Sequence, residues 1–391
     1  MKAIVAGGGV AGAAAGLALA RTGVRVRVYE SHEDPAGPVG SFVSLAANGL
    51  RGLRALGVLD AVQAAGFPVE RQRLWSGSGR LMGDVPRGRL SGDPLHSVTL
   101  MRADLVRELR AAALAAGAEI VTGARVTGAE HAGGGVRVAL ADGGADEADL
   151  LVGADGIWSA TRRVLDPAAP EPAFGGQYSL AGTADPVPGA DPGTFNMMFC
   201  RAGAFIAIAA PGGAVWWAAQ VTAGRAPDLG AVALDVVRDL FPENMPAAVL
   251  RAATAVHRPT LHHVLKPVRV WRDDRVVLVG DASHPVGAGQ GASMAIEDAA
   301  VLAHALRARG GVAAGLASYE ADRRERVASL VKMAAANRDA KTAGPVARRV
   351  RDAVMPVVLR LFYERSTAWL YTREPVLDGA AEPAVATGRA G

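Results

Sequence analysis

The sequence predicts an α/β fold in which a three-layer body with a mostly parallel sheet is interrupted by an inserted β-sheet domain and followed by C-terminal helices. The first part of the chain alternates strand and helix patterns, which are typical of a parallel sheet covered by helices. From Glu171 onwards, prolines and repeated β-like runs replace that alternation, which returns near residue 273. The predicted divisions are 1–170 (with a small strand section of the inserted domain near 70–100), 171–272, 273–340, a helix over 341–376 and a flexible tail over 377–391.

The first thirty residues carry the strongest local signal, a βαβ unit. Lys2–Ala6 is a short apolar run, Val10–Arg21 has helical spacing, and Val24–Tyr29 is a second strand pattern. Residues 7–12 fit G-x-G-x-x-G, whose glycines allow a tight turn, close approach of a pyrophosphate and close packing of helix on strand. Glu30 ends the second strand and can accept hydrogen bonds from a ribose. The unit therefore predicts a Rossmann-like dinucleotide-binding body.

Composition excludes several other classes of protein. Half of the 391 residues are apolar, and the net charge of +4 comes from basic residues interspersed with acids, so no nucleic-acid stripe is expected. The single cysteine, Cys200, excludes an internal disulfide and fits a reducing cytoplasm. The longest apolar stretch, 204–221, is broken at Pro211, which argues against a membrane span. The first strand begins at the N-terminus and leaves no room for a signal peptide, so we expect a soluble, cytoplasmic protein.

Strand and helix patterns continue along the chain. Leucines and alanines at helical spacing predict helices over 46–66 and 102–116. The other predicted helices cover about 231–240, 291–309, 315–337 and 345–370. The other predicted strands are 41–45, 71–82 (in pieces), 97–100, 119–121, 124–131, 136–141, 150–152, 195–199, 204–209, 214–221 and 275–279.

Two later motifs stand in register with the N-terminal unit. Residues 151–162 read Leu-Val-Gly-Ala-Asp-Gly-Ile-Trp-Ser-Ala-Thr-Arg. Residues 279–285 read Val-Gly-Asp-Ala-Ser-His-Pro, with Gly-Gln-Gly-Ala at 289–292 and Glu-Asp-Ala at 297–299. Each motif alone is compatible with an ordinary turn or helix start. Their order and spacing together indicate one ligand site at the carboxyl edge of a parallel sheet.

This combination resembles the single-component FAD-dependent aromatic hydroxylases, the family typified by p-hydroxybenzoate hydroxylase, over roughly Met1–Asn337. The resemblance implies a Rossmann-like FAD-binding domain with a β-sheet substrate domain. It implies an NAD(P)H-using monooxygenase with non-covalent FAD. Such an enzyme hydroxylates or epoxidises an electron-rich aromatic or enol-like small molecule through a flavin C4a-hydroperoxide, with molecular oxygen as co-substrate. We expect a monomer or homodimer.

The resemblance also implies which residues contact FAD. They are Gly7, Gly9, Ala11, Gly12, Glu30, Ser31, Ser44, Arg102, Val126, Asp155, Gly156, Gly280, Asp281, Gly289, Gln290, Gly291, Ala292 and Ser293. Among these, Asp281 is expected to bind the ribityl chain. The loop 289–293, with a helix starting near Gly291, is expected to direct backbone N–H groups to the flavin carbonyl edge. Pro285 is expected to lie by the reactive face of the flavin and shape it.

Other polar and aromatic residues receive simpler interpretations. Trp216 and Trp217 are neighbours in a predicted strand, so their side chains point to opposite faces. One is expected to line the substrate pocket and the other to pack. His284 is interpreted as structural, and no histidine cluster has the spacing of a metal site. Cys200 is interpreted as an inert core thiol. A solvated helix face is predicted for Asp322, Arg323, Arg324 and Arg326.

The sequence leaves two other functions open. One is a related flavoenzyme, either a halogenase, whose tryptophan-isoleucine-proline signature is absent, or a reductase or dehydrogenase that transfers no oxygen. The other is a flavoprotein that binds a partner or membrane surface through the basic helix near 347–361, although a helix packed across two domains explains that segment more simply. Neither the substrate nor the choice between NADH and NADPH follows from the sequence.

Overall fold

A computed structural model describes residues 1–34, 41–341 and 344–377. The predicted tail beyond Leu377 and residues 35–40 of the polar connection after β2 lie outside the described residues. The strands are β1 (Lys2–Ala6), β2 (Arg25–Tyr29), β3 (Phe42–Leu45), β4 (Phe67–Val69), β5 (Arg71–Ser76), β6 (Leu81–Pro86), β7 (Ser97–Met101), β8 (Glu119–Val121), β9 (Val126–Ala132), β10 (Gly135–Leu140), β11 (Ala145–Ala148), β12 (Leu150–Gly153), β13 (Ala173–Ala184), β14 (Thr194–Phe199), β15 (Gly203–Ala209), β16 (Val215–Thr222), β17 (Ala253–Val256), β18 (Thr260–Val264) and β19 (Val276–Leu278).

Helices alternate with the early strands and dominate the C-terminal third. They are α1 (Val10–Arg21), α2 (Ala47–Ala55), α3 (Leu59–Ala64), α4 (Arg102–Ala115), α5 (Ala160–Leu165), α6 (Leu234–Leu240), α7 (Asn244–Arg251), α8 (Gly287–Ala308), α9 (Val312–Lys341) and α10 (Pro345–Tyr371). Single 3₁₀ turns cover Leu229–Ala231 and Gly280–Ala282. None of the helices in the described part of the chain combines the length and hydropathy that a membrane crossing requires.

A five-stranded parallel sheet forms the centre of the nucleotide-binding body, in the order β19-β12-β1-β2-β8. Strands β1, β12 and β19 are short and almost wholly apolar because both faces of the sheet are covered there: α1, α4 and α8 pack on one face, and β9, β10 and β11 pack on the other. The small residues of α1 let this helix lie close to the sheet and to α8. The carboxyl ends of β1, β12 and β19 are adjacent, and each is followed by one of the three sequence motifs.

A second, largely antiparallel sheet has the order β17-β13-β16-β15-β14-β5-β6, with β18 also paired to β13. Alternation along its strands gives two faces. The distal face, which includes Phe205 and Trp217, packs on α6 and α7. The opposite face, called here the cleft face, includes Phe195, Ile208 and Trp216, and contacts Phe42 of β3 and Phe67 of β4.

The structure corrects several predicted boundaries. The predicted helix over 46–66 is two helices, because the chain turns at Gly57 with φ of 66°. Strand β11 and helix α7 were not predicted, since β11 is polar and α7 follows a Pro-containing turn. Helix α8 begins at Gly287, four residues before the predicted start. Helix α10 packs on both β6 and α2, and so bridges the second sheet and the nucleotide-binding body.

Candidate FAD and substrate site

The glycine turn after β1 has a backbone that larger residues would not fit. Gly7 has φ of 99°, and a Cβ placed on it would lie 2.5 Å from the carbonyl oxygen of Ala154. A Cβ on Gly12 would lie 1.7 Å from the carbonyl oxygen of Gly7. Gly9 caps α1 without any side-chain hydrogen bond, so the first-turn N–H groups of this helix are available to a ligand. The turn is therefore shaped for close approach of a phosphate group.

Glu30 is buried at the end of β2, beside this turn. Its Oε2 accepts a 2.6 Å hydrogen bond from the N–H of Gly8, and its Oε1 accepts from the N–H of His32 at 2.8 Å and the hydroxyl of Ser31 at 3.1 Å. These bonds fix the carboxylate next to the N-terminus of α1. Val126, predicted near the adenine, is buried at the start of β9 in the same cluster as Tyr29.

Arg102 and Ala11 border the same turn from two further sides. Arg102 is the first residue of α4, and its Nη2 lies 3.4 Å from where a Cβ of Gly9 would be. Ala11 faces the third motif, because its Cβ lies 2.9 Å from where a Cβ of Gly280 would be. The structure thus brings predicted residues from three parts of the chain to one place. An Arg at this position supplies positive charge to a bound pyrophosphate.

The second motif follows β12 and leaves one carboxylate oxygen unpaired. Asp155 Oδ2 accepts from the N–H and hydroxyl of Thr161 at 2.9 and 3.0 Å, whereas its Oδ1 is buried and has no partner in the described part of the chain. Gly156 has φ of 73°, a conformation that favours glycine. Arg162 joins this motif to the third one, since its guanidinium donates to the carbonyls of Ile157 at 2.7 Å and Ala282 at 3.0 Å.

Asp281 stands in the 3₁₀ turn after β19 and remains exposed to solvent there. Loss of hydration among the surrounding protein atoms raises the pKa of this carboxyl group, and His284 and Arg102 only partly offset the rise. Its Oδ1 lies 3.7 Å from where a Cβ of Gly291 would be. Asp281 therefore lies between the glycine turn and the start of α8, where the hydroxyl groups of a ribityl chain could hydrogen-bond to it.

The prediction of a loop over 289–293 ahead of the helix is wrong. These residues lie within α8, which begins at Gly287. Small residues without polar caps allow the helix to begin early, and Gly289 distorts its first turn with φ of 119°. The free helical N–H groups are consequently those of the first turn, up to Gly289, because from the next residue on the N–H groups can bond within the helix, starting with the carbonyl of the N-cap residue Val286. The positive end of the helix still faces the cleft.

Two polar side chains in the first turns of α8, those of Ser293 and Gln290, differ in their hydrogen bonding. The hydroxyl of Ser293 accepts a 3.3 Å bond from the N–H of Ala46. The side-chain oxygen of Gln290 is buried without a partner in the described chain. Ser44 is bonded to Thr99 at 2.6 Å between their hydroxyl oxygens. Pro285 is half-buried directly before this helix, and its effect on the flavin face stays a prediction.

Buried ionisable side chains connect α8 to α9 and form what is called here the α8–α9 ion cluster. Its members are His284, Glu297, Asp298, Arg323 and Arg326. Asp298 accepts from His284 Nε2 at 2.6 Å, Arg323 Nε at 2.7 Å and the N–H of Gly280 at 2.8 Å. Glu297 is paired with Arg323 and, at 2.5 Å, with Arg326. The predicted solvated helix face is therefore wrong for Arg323 and Arg326, because the carboxylates of α8 draw them into the interior.

Pairing changes the acidity of both carboxylates in this cluster. Burial would raise the pKa of Asp298, but His284 and Arg323 outweigh it and lower that pKa to about 2. Burial likewise opposes ionisation of Glu297, and Arg323 and Arg326 lower its pKa below the ordinary value. The interpretation of His284 as structural agrees with its place here. The cluster fixes α8 against α9 and ties both to Gly280, next to Asp281.

Trp216 and Trp217 lie on opposite faces of the second sheet. Trp217 is fully buried on the distal face, with its ring stacked on Phe205 at a centroid separation of 6.0 Å. Trp216 is on the cleft face, with ring centroids 5.1 Å from Phe67 and 6.0 Å from Phe42. Trp216 is thus the one of the two that can line a substrate pocket.

Some residues of the site escaped sequence reasoning. Arg162 belongs to the 151–162 motif, but nothing in the motif indicates that its side chain is buried and bonded to Ala282. Phe42 and Phe67 lie in short segments without a motif, and only the paired strands β3, β7 and β4 bring them to Trp216. Cys200, predicted as a core thiol, is only half-buried, and burial raises its pKa to about 12, which agrees with an unreactive thiol.

The described residues fit FAD. The glycine turn excludes side chains, Arg102 and the start of α1 offer positive potential, and Asp155 and Gln290 present buried oxygens without partners. Asp281 would hold the ribityl chain, and the start of α8 would face the carbonyl edge of the flavin. No group of acidic, histidine or cysteine side chains able to hold a metal ion occurs among residues 1–34, 41–341 and 344–377.

Comparisons with known proteins agree with this geometry. Residues 1–334 match the family model described as "FAD binding domain". The chain is 32% identical to the aurachin C monooxygenase/isomerase of Stigmatella aurantiaca, over 84% of this chain and 86% of that protein. It is 31% identical to the FAD-dependent urate hydroxylase of Klebsiella pneumoniae, over 85% and 88% of the two chains.

Solved structures show the same architecture. Klebsiella pneumoniae HpxO in complex with FAD and uric acid superimposes with a TM-score of 0.81 at 25% identity, covering 95% of this chain and 97% of that one. A salicylate hydroxylase substrate complex gives a TM-score of 0.80 at 20% identity, covering 99% of both chains, and so supports the fold alone. From the family match, these relatives and the fitted cofactor site, we conclude that the chain belongs to the FAD-dependent aromatic hydroxylases and is an FAD-dependent monooxygenase.

Proposed function

We propose that this protein uses NAD(P)H and molecular oxygen to insert one oxygen atom into an electron-rich aromatic or enol-like small molecule. In the balanced reaction, NAD(P)H, a proton, oxygen and the substrate give NAD(P)⁺, water and the oxygenated product. One observation carries the proposal: β3 joins the two halves of the site, because Ser293 of α8 is bonded to Ala46 directly after β3, and Phe42 of β3 contacts Trp216 of the cleft face. Bound FAD supplies the electron transfer from NAD(P)H and the activation of oxygen.

The nucleotide-binding body supplies fixed electrostatics on one side of this cleft. The free N–H groups at the start of α8 provide positive potential without a mobile charged side chain. Such potential favours negative charge at the carbonyl edge of a reduced flavin. The α8–α9 ion cluster holds this helix rigidly, because Asp298 bonds both to Arg323 of α9 and to Gly280. The positive end is therefore preorganised rather than induced.

The cleft face supplies a dry wall on the other side. Phe42, Phe67, Phe195, Ile208 and Trp216 form one apolar cluster from five strands, three of the second sheet and two of its neighbour. Tilted and edge-on contacts between Trp216 and the two phenylalanines leave ring surface for a planar substrate. Excluding water here would protect a reactive oxygen species from wasteful decay and hold the substrate carbon near the flavin.

The named relatives support an aromatic substrate class. The similar proteins include hydroxylases of urate and 3-hydroxybenzoate, a kynurenine 3-monooxygenase and a phenazine 1,6-dicarboxylic acid hydroxylase. Each of these names contains a planar ring compound. The shared feature supports a flat, electron-rich substrate for this protein, without selecting one of them.

Rapid mixing tests the proposal. The FAD-loaded protein is reduced without air, mixed with oxygenated buffer, and followed through the flavin absorbance. We expect a transient spectrum, distinct from both reduced and oxidised flavin, before the oxidised spectrum returns. With a productive aromatic substrate, mass spectrometry is expected to show one added oxygen atom derived from oxygen gas.

Direct return to the oxidised spectrum, with no product mass gain across an aromatic panel, would overturn the monooxygenase proposal. Turnover under nitrogen would then favour the reductase or dehydrogenase alternative. Once a substrate is found, Trp216→Ala is expected to raise its KM at least tenfold, because the variant removes a ring from the cleft face. Leu81→Ala is the control, since Leu81 is 45% exposed on the edge strand β6 and lies away from this cluster.

A further inference from the structure

Arg87 follows β6 and places a guanidinium group against the cleft face. Its central carbon lies 3.9 Å from the centroid of the Phe195 ring. Its Nη1 donates to the side-chain oxygen of Gln72 at 2.7 Å. Phe195 and Gln72 are register partners in the parallel pair β14 and β5, so their side chains are on the same face. Arg87 is therefore held over the Phe195 ring by one cation–π contact and one hydrogen bond to a neutral amide.

This guanidinium has no counter-ion among residues 1–34, 41–341 and 344–377. No acidic side chain in the described chain bonds to it, its Nε is buried without a partner, and its Nη2 makes no hydrogen bond. Loss of hydration lowers the pKa of Arg87, which reflects a cation enclosed without compensation. The aromatic residues Tyr363 and Tyr371 lie nearby, but burial raises the pKa of both, so they remain neutral hydroxyl groups at pH 7.

The unpaired atoms lie on one edge of the guanidinium. Nε and Nη2 are the two donors that point side by side, and Nη1 on the far edge is the one engaged by Gln72. Two parallel N–H groups match the two oxygens of a carboxylate. Another enclosed arginine of this protein uses the same edge for an acid, since Arg326 donates from Nε at 2.5 Å and from Nη2 at 3.0 Å to the two oxygens of Glu297. At Arg87 no matching acid is supplied by the described part of the chain.

Short contacts connect Arg87 to the cofactor side of the cleft. The next residue, Gly88, accepts a 2.8 Å bond at its carbonyl from the N–H of Ala47, and a Cβ on it would lie 2.9 Å from the Cβ of Ala46. Ala46 in turn bonds to Ser293 in α8. Arg87 thus stands where the cleft face, β3 and the start of α8 approach each other.

We propose that Arg87 binds a carboxylate carried by the substrate, so that the physiological substrate is an anionic aromatic or enol-like acid. This inference rests on the proposed function, because it assigns the charge of the molecule that the cleft takes. Stacking on Phe195 and the bond to Gln72 hold the guanidinium plane, and the free edge then fixes the orientation of the ring relative to the flavin. Arg87 is a binding and orienting residue and donates no proton to the reaction.

Matched ligand pairs test the charge preference. The FAD-loaded protein is titrated with hydroxybenzoates, aminobenzoates and hydroxyquinoline carboxylates, each beside its neutral carboxamide. Binding is followed through the flavin absorbance and by calorimetry, so no turnover is needed. We expect at least one acid to bind ten- to hundredfold more tightly than its amide, as hydrogen bonds to a charged partner imply.

Three variants locate that preference. Arg87→Met is expected to abolish the acid-over-amide ratio while leaving amide affinity within about threefold, and Arg87→Lys is expected to restore part of the ratio. Arg73→Met is the control, because Arg73 lies on the same strand as Gln72 but bonds to Asp84 and Asp191 on the other face. It removes the same net charge and is expected to keep the ratio.

The outcomes separate this inference from the proposed function. The role proposed for Arg87 is wrong if no acid binds more tightly than its amide, or if Arg87→Met keeps the acid-over-amide affinity ratio. This holds even when oxygen transfer is observed. If acids bind selectively through Arg87 but reduced flavin reoxidises without a transient or product, the proposed function fails and the anion site remains.

Discussion

Two buried regions of the molecule treat charge in opposite ways. In the α8–α9 ion cluster, each carboxylate has at least two donors: Asp298 has His284, Arg323 and the N–H of Gly280, and Glu297 has Arg323 and Arg326. Beside the cleft face, Arg87 pairs with no acid of the described chain, and its buried Nε has no hydrogen-bond partner there. Both regions are connected to α8. Glu297 and Asp298 belong to this helix, and Gly88, the residue after Arg87, is bonded to Ala47, whose neighbour Ala46 is bonded to Ser293.

The contrast distinguishes charges that hold the fold from charges that await a ligand. A buried polar group without a partner costs free energy, so proteins rarely keep one without compensation. Buried side-chain atoms without a partner in the described chain occur on Arg87, Asp155 and Gln290 beside the proposed site, and also away from it, on His284 Nδ1 and Trp217 Nε1. A completed cluster adds rigidity to its surroundings, whereas an incomplete one gains its missing bonds when a ligand arrives. The following predictions test this division in order of expected effect.

The largest effect is expected from opening the completed cluster. Arg323→Met leaves Glu297 and Asp298 buried with fewer donors, and breaking a buried pair in this way costs about 3–5 kcal/mol. The measurement is the free energy of unfolding in urea for the FAD-loaded protein. Arg107→Met is the control, because Arg107 forms only an exposed pair with Asp104 and is expected to change stability by less than about 1 kcal/mol. Equal losses in the two variants would contradict the structural role of the cluster.

The tryptophan pair extends the comparison to apolar side chains. Trp217 is fully buried against Phe205, so Trp217→Ala is expected to cost about 3–5 kcal/mol of stability. Trp216 is half-buried at the cleft, so Trp216→Ala is expected to cost less than half as much and to act mainly on ligand affinity. Thermal unfolding and ligand titration of both variants provide the check. A larger stability loss for Trp216→Ala than for Trp217→Ala would contradict the assignment of the distal face as the fully buried side of the sheet.

The three motifs predicted from the sequence to hold the cofactor come together in the structure, for a physical reason. Phosphate binding constrains the backbone itself, so the requirement appears as glycines at fixed spacing: Gly7, Gly9 and Gly12 converge in the structure as their pattern indicates. Asp155 and Asp281 follow adjacent parallel strands, and a sheet edge brings such residues together. Local sequence and sheet topology are sufficient for that part.

The rest depends on contacts between distant segments. Arg323 and Arg326 have the spacing of an exposed helix face, and only the docking of α9 on Glu297 and Asp298 buries them. Arg87 lies in an irregular segment whose neighbours, Gln72 and Phe195, are 15 and 108 residues away. Small helix-compatible residues conceal the early start of α8 at Gly287. Pairing across the fold, rather than pattern along the chain, determines these features.

Acid is expected to weaken the completed cluster through Asp298. Its pKa is about 2 in the folded protein and about 4 when unfolded, so its stabilisation is present above pH 4 and is lost as the pH falls towards 2. The loss amounts to about 2 kcal/mol by that linkage. Urea unfolding of wild type and Asp298→Asn between pH 5 and pH 2 measures it. The variant is expected to be less stable at pH 5 and to lose less stability on acidification, and parallel pH profiles would contradict the assignment.

The smallest stability effect is expected at Arg87, and it decides the comparison. Replacing this uncompensated cation by a methionine of similar length removes a desolvation cost while keeping apolar contact with Phe195. We therefore expect the free energy of unfolding of the FAD-loaded Arg87→Met variant, measured without substrate, to lie within about 1 kcal/mol of the wild-type value or above it. Arg87→Ala is the matched control, because it also removes the stem and is expected to lose stability through packing. If Arg87→Met loses as much as Arg323→Met, Arg87 holds the fold together as the completed cluster does, because only a charge with a partner inside the protein can cost that much to remove.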